Sequence, residues 1–358
     1  MSVRAIFAIP GDLATLTGGY GYDRRVLALL PDCGVPVAHV QLPAAFPFPT
    51  DADVSATIQA LRAAPRDGVL LVDGLAFSAL PAAALATIEQ RIVALVHHPL
   101  GYEAGLTEAQ SQCLVRLERA ALAHAAHIVV TSAPTRDTLV SDFCVPAARL
   151  TVAEPGTDPA ARAKGSGAMG SEASAPVLLS VGSIVPRKAF NVLVDALTGL
   201  ERLSWRLRIV GSLERAPETA AALRAQIAAS RVADRIEIAG EMGPDELDQA
   251  YAGADIFVLS SLYEGYGMVL AEAMARGLPV ICTTGGAAAK TVPDNAGLKV
   301  APGDVMALRD ALSSVLGDSA LRKSLADAAW QAGQNLPRWR DTTARIARVI
   351  EMVAGTNS

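Results

Sequence analysis

The chain has 358 residues, 51% hydrophobic and 19% charged, which excludes extended disorder and leaves room for two domains of ordinary size. Its 31 basic and 36 acidic residues give a formal charge of −5 with no long basic run, which argues against a nucleic-acid partner. The four cysteines, Cys33, Cys113, Cys144 and Cys282, are scattered and form no CxxC pair, so they read as free thiols of a cytoplasmic protein.

The opening MSVRAIFAIPGD reads as a first strand, Val3–Ile9, because its apolar run stops at Pro10-Gly11, too early for a signal peptide. A helix is expected over Tyr22–Leu30. Strands follow at Val35–Leu42, Val69–Val72, Ile92–Val96 and Ile128–Thr131. Helices at Val54–Ala63, Ala82–Glu89, Thr107–Ala125 and Pro134–Phe143 lie among them. The strands are short continuous apolar runs, as in a parallel sheet buried on both faces. Alternation of this kind signals a doubly wound α/β domain. No run of 18 apolar residues occurs, so no membrane-spanning helix is expected.

Residues 156–176, GTDPAARAKGSGAMGSEASAP, lose all periodicity and read as a linker or mobile loop. The alternation then restarts. Strands are expected at Val177–Val181, Arg206–Val210, Ile236–Ala239, Ile256–Leu259 and Val280–Thr283. Helices are expected at Phe190–Leu200, Ala216–Ala229, Pro244–Ala252, Met268–Arg276, Val305–Gly317 and Ser319–Gln334, with a last one at Asp341–Val353. Two such halves predict domains at 1–157 and 177–336, a linker at 158–176 and a terminal segment at 337–358. They also predict a ligand cleft between the halves, at strand carboxyl ends.

The densest chemical signal is SSLYEGYGMVLAEAMARG, residues 260–277. A strand runs through a glycine-containing loop into a helix, whose free N–H groups make an anion site. Glu264 lies in the loop and Glu272 in the helix, eight positions on. That spacing is too long for one local hydrogen bond, so the pair suits two parts of one extended ligand.

The pattern S-x-x-E-G-x-G-x-x-x-x-E-A-M-A-x-G-x-P-V closely resembles the donor site of the retaining family 4 glycosyltransferases of GT-B fold. The resemblance covers nearly the whole chain. It implies two Rossmann-like domains facing each other across a cleft, with a C-terminal helix returning to the first. It implies that Glu264 contacts the transferred sugar and Glu272 the ribose hydroxyls. The helix-start amides at Gly267, Met268 and Val269 would hold the diphosphate. The implied activity is transfer of a sugar, with retention, from a nucleotide-sugar donor to a carbohydrate or lipid-linked acceptor.

Three further stretches carry the resemblance. VLLSVGSIVPRKAF, from residue 177, supplies Gly182 and the Arg187-Lys188 pair, which would neutralise the diphosphate by fork and point charge respectively. It departs from the family pattern with Ser183 after Gly182, where Arg is common, and Ala189 after Lys188, where Gly is common. Thr17-Gly18-Gly19-Tyr20-Gly21 resembles the glycine loop that approaches donor phosphate and acceptor; Gly19 to Arg24 lacks the third glycine of a dinucleotide fingerprint. Val96-His97-His98-Pro99 ends a strand, and His97 aligns with the histidine that faces the transferred sugar. Adjacent histidines on a strand point to opposite faces, so a shared metal is not expected.

Thr284-Gly285-Gly286 matches a family loop that normally carries a Glu, but Ala289 or Lys290 stands at that place. No Asp-x-Asp ends a strand in the second half, so no cofactor and no metal are expected. Two rivals remain: a glycosyl phosphorylase of the same architecture, and a non-catalytic sugar-nucleotide-binding protein. The donor base, the sugar, the acceptor and any peripheral contact with the inner face of a membrane stay open.

Overall fold

Short apolar runs become parallel strands in two separate sheets. The structure, a computed structural model, describes residues 4–169 and 175–355. Val3 of the expected first strand, residues 170–174 of the expected linker and residues 356–358 of the terminal segment lie outside the described residues. The chain divides into two units, Met1–Gly156 with Pro337–Ser358, and Thr157–Leu336.

The first unit contains β1 (Ala5–Pro10), β2 (Val37–Leu42), β3 (Val69–Asp73), β4 (Arg91–Val96), β5 (His127–Val130) and β6 (Leu150–Val152). Their order is β2-β1-β3-β4-β5-β6. Every residue of β1, β3 and β5 is buried, which explains the unbroken apolar runs. Asp73 is in register with Leu95, so the carboxyl ends of β3 and β4 lie side by side. The chain reverses its winding between β1 and β3. Such a switch point opens a crevice at the strand ends.

The second unit contains β7 (Val177–Val181), β8 (Arg206–Val210), β9 (Ile236–Gly240), β10 (Ile256–Leu259), β11 (Val280–Thr283) and β12 (Gly297–Val300). Their order is β12-β11-β10-β7-β8-β9, and the winding reverses between β7 and β10. Both faces of this sheet are covered: Trp205, Leu193 and Leu312 pack on one side, and Tyr251, Met274 and Leu278 on the other. The doubly wound α/β architecture expected from the alternation is present in both units.

Three local expectations change. The first helix spans Gly18–Leu29, so Gly18 and Gly19 form its first turn and not a free loop. Thr17 causes this: its hydroxyl accepts from the Tyr20 N–H at 3.3 Å and caps the start. The helix expected over Ala82–Glu89 is only Ala82–Leu85. The edge strand β12 was not anticipated, because its three residues after Gly297 are half-buried and lack a continuous apolar signal.

Residues 158–176, read as a linker, are partly docked on the second unit. The N–H of Ala163 donates to Arg276 at 2.8 Å and that of Lys164 to Ala252 at 2.9 Å. Small side chains permit this approach; a Cβ on Gly165 would meet the Asp255 carboxylate at 2.5 Å. The final helix, Trp339–Gly355, returns to the first unit, as the resemblance implies, and packs on helix Gly18–Leu29 and on β4. Trp339 meets the Tyr22 ring edge-on at 5.6 Å, and Thr342 donates to the Glu154 carbonyl at 2.7 Å.

Candidate active site

Each unit gathers polar side chains at the switch point of its own sheet. In the second unit, β7 runs into a turn carrying Arg187 and Lys188, and β10 into the loop carrying Glu264. Because β7 and β10 are neighbours, these segments meet. Lys188 Nζ lies 2.6 Å from Glu264 Oε1, and Arg187 lies 3.4 Å from Oε2. Backbone bonds stitch the segments together: Leu262 N–H to the Arg187 carbonyl at 2.7 Å, and the Ser260 hydroxyl to the carbonyls of Lys188 and Ala189 at 3.0 Å. The Arg187 guanidinium also donates to the Tyr263 carbonyl at 2.9 Å.

Glu264 is only 5% exposed. Burial pushes its carboxyl up, but Lys188 and Arg187 outweigh that, and the group is held below the usual carboxylate range. The result is one anion gripped by two cations. Gly182 makes the approach possible, since a Cβ there would meet Lys188 Cε at 2.9 Å. Gly285 and Gly286 brace the Glu264 loop from behind. A Cβ on either would strike the backbone oxygen of Leu262 or of Glu264. The Gly-Gly loop therefore supports Glu264 sterically, whatever stands at Ala289 and Lys290.

Gly267 has φ +85, a conformation glycine adopts without penalty, and turns the loop into helix Met268–Ala275. No side chain caps that start, so the amides of Met268 and Val269 open the helix without a side-chain acceptor. Glu272 keeps different company from Glu264. It accepts from the Tyr251 hydroxyl at 2.8 Å, while Arg276 lies 4.6 Å over the Tyr251 ring. The two glutamates thus face separate surroundings.

In the first unit, His97 follows β4, and His98 does not share its setting. His98 pairs with Glu103 at 2.9 Å. His97 Nε2 lies 3.2 Å from Asp23 and 3.3 Å from Asp73, and Tyr22 meets the ring edge-on at 5.3 Å. Gly19 packs on it: a Cβ there would sit 3.5 Å from the ring. Gly18 precedes it at the helix start. Asp23 and Asp73 were not found from sequence. They carry no motif of their own, and only the adjacency of β1, β3 and β4 brings them to His97. Among the described residues Asp23, Asp73 and His97 are the one group with the composition of a metal set. Their direct hydrogen bonds already use Nε2, and we read them as a hydrogen-bonded cluster.

A family model described as glycosyl transferases group 1 matches residues 167–332, and one described as a glycosyl transferase 4-like domain matches residues 9–156. The chain belongs to family 4 of the GT-B glycosyltransferases. Among curated family 4 relatives, D-inositol 3-phosphate glycosyltransferase of Nocardia farcinica is 32% identical over 56% of this chain and 47% of its own length. The GDP-mannose-dependent alpha-(1-6)-phosphatidylinositol monomannoside mannosyltransferase of Mycobacterium tuberculosis is 32% identical over 62% of this chain and 60% of its own. The chain thus spans about half the length of the curated relatives it matches. Among solved structures, sucrose-phosphate synthase from Thermosynechococcus elongatus superposes with a TM-score of 0.82 at 20% identity, covering 99% of this chain and 100% of that one. The crystal structure of Anabaena HepE in complex with UDP-glucose gives 0.77 at 17% identity, over 97% of this chain and 99% of its own. No helix among the described residues is long and apolar enough to cross a membrane.

Proposed function

We propose that this protein transfers a sugar, with retention, from a nucleoside-diphosphate sugar to a saccharide or lipid-linked acceptor. The observation that carries the reading is the Arg187–Lys188–Glu264 cluster at the switch point of the second sheet, beside the uncapped start of helix Met268–Ala275. Two cations and helix-start amides suit a diphosphate. A buried carboxylate beside them suits sugar hydroxyls.

The chemistry follows from charge. Breaking the anomeric C–O bond sends the electron pair to the diphosphate, whose growing charge Arg187, Lys188 and the helix start would stabilise. Preorganised donors of this kind are worth about 3 kcal/mol each, or roughly a hundredfold in rate. Fixed cations of this sort do the work a metal does elsewhere, so we propose that transfer needs no metal. Glu264 would orient the sugar. Glu272, steadied by Tyr251, would accept from the ribose hydroxyls. Retention is inferred from the family; it requires the acceptor to arrive on the face the diphosphate leaves.

UDP-glucose and GDP-mannose are the first donors to test, since these two are named with a neighbouring structure and a relative. Proton NMR of the product, formed with EDTA present, checks the reading. An α-linked product from an α-linked donor supports it. A β-linked product overturns retention, and loss of turnover in EDTA overturns metal independence.

A further inference from the structure

His97 sits among groups that fix its charge. Asp23, on the first helix, and Asp73, at the end of β3, place carboxylate oxygens 3.2 and 3.3 Å from the same nitrogen, Nε2. Two carboxyl oxygens beside one nitrogen favour a proton there. Tyr22 closes one side of the ring edge-on, and its own hydroxyl donates to the Ala153 carbonyl at 2.8 Å. Just after β5 the neighbour is Thr131, which donates to the His97 carbonyl at 3.0 Å and does not titrate. The final helix contributes Trp339, behind Tyr22. His98, next in sequence, is turned to Glu103. Asp23 and Asp73 are therefore the acidic groups that face the ring.

Both carboxyls are buried, and Asp23 Oδ2 has no hydrogen-bond partner. An ionised oxygen there would be uncompensated, so a proton on Asp23 is favoured. Burial first, then Asp73, push the Asp23 carboxyl up, against the pull of His97. One negative charge then remains on the pair. It balances one positive charge on the ring. Burial alone would discharge the imidazole, but Asp23 and Asp73 together reverse that and hold its proton far above the ordinary histidine range. Nε2 is spent on the carboxyls and Cδ2 on Gly19, which leaves the Nδ1 edge of a side chain that is 21% exposed.

We propose that Asp23 and Asp73 are positioning residues that hold His97 as an imidazolium with Nε2 inward, so that Nδ1–H is a cationic hydrogen-bond donor and not a base. Its use in turnover rests on the transferase reading above; the charge state of the ring does not. A cationic donor gives its hydrogen bond to an oxygen that gains negative charge, and such bonds are about twice as strong as neutral ones. A neutral imidazole would present a lone pair at Nδ1 instead and repel the same oxygen.

Nitrogen-15 NMR of histidine-labelled protein tests this, with His97→Gln assigning the His97 signals among the five histidines. Both ring nitrogens should remain protonated past about pH 8, well above the ordinary histidine midpoint near 6.5. The Asp23→Asn/Asp73→Asn double variant, which removes the one charge the pair holds, should lower the midpoint by about one unit or more. It should also cut kcat by roughly tenfold while leaving nucleoside-diphosphate affinity unchanged. His97→Gln, which donates but takes no proton, should retain more turnover than His97→Ala. A neutral ring at pH 7 in the intact protein overturns the proposal, as does an unmoved midpoint in the double variant. A shift of the His97 signals with stoichiometric zinc chloride overturns it in favour of a metal site. Absence of turnover with every sugar nucleotide, beside a protonated ring that the double Asn variant discharges, would refute the transferase reading and leave the charge clamp standing.

Discussion

At the scale of single residues, Glu264 does more than its motif announces. Its carboxylate is the counter-ion of Lys188 and Arg187. A bare nucleoside diphosphate must share those cations with it. Glu264→Gln should therefore cut sugar transfer by about a hundredfold, the scale of losing one preorganised group. It should leave nucleoside-diphosphate binding unchanged, or tighten it by up to about tenfold, the scale of one charge-assisted hydrogen bond. Calorimetry beside a turnover assay makes the comparison. Tenfold weaker binding of the bare diphosphate would show that Glu264 holds the fold and not the sugar. Glu264 with Glu272, and Arg187 with Lys188, were legible as candidates because fixed spacing along two strand–loop–helix segments marks them. Asp23 and Asp73 were not, since they lie 50 positions apart and meet His97 only through strand order.

At the scale of the element, the turn Pro186–Lys188 leads into helix Phe190–Thr198 through Ala189, at φ +48. That is the left-handed region, where the Cβ of an L-residue costs roughly 1–2 kcal/mol. Glycine avoids that cost but adds about 0.5–1 kcal/mol of chain entropy. Ala189→Gly should thus leave stability within about 1 kcal/mol of the parent. Ala189→Val puts a β-branched side chain where it fits worst and should destabilise by roughly 1–3 kcal/mol. Thermal melts of both variants test this, at about 2–4 °C per kcal/mol for a domain of this size. Equal losses would show that Ala189 is held by packing alone. The continuous apolar strands were legible because burial on both faces leaves no polar interruption. The start of helix Gly18–Leu29 was not, since two glycines read as a loop and Thr17 caps them into a turn. The edge strand β12 escaped for the opposite reason: half-burial dilutes its pattern.

For the whole molecule, the two units differ in how the chain builds them. The second is one stretch, whereas the first is completed by the final helix. The first also holds the buried carboxyl of Glu118, which accepts from the Leu100 N–H at 2.9 Å and so anchors the turn after His98-Pro99. Burial pushes Glu118 up to about 8, against the pull of Ser78 and the Leu100 amide. A carboxyl raised in the folded state adds stability that is full below its unfolded value near 4.5 and fades as pH rises through about 8. The melting temperature should therefore decline over that window, and Glu118→Gln, which keeps an acceptor for Leu100, should flatten the decline. An unchanged slope in the variant would show that Glu118 titrates normally.

The central claim is that the second unit holds a nucleoside diphosphate by its phosphates. Calorimetric titration of the parent and of Lys188→Ala with UDP, GDP and the matching nucleosides addresses it most directly. One diphosphate should bind the parent, and Lys188→Ala should lose about tenfold or more of that affinity while binding of the nucleoside stays the same, because the ammonium acts on phosphate charge alone. Equal losses for diphosphate and nucleoside, or no diphosphate binding by the parent, would contradict the account.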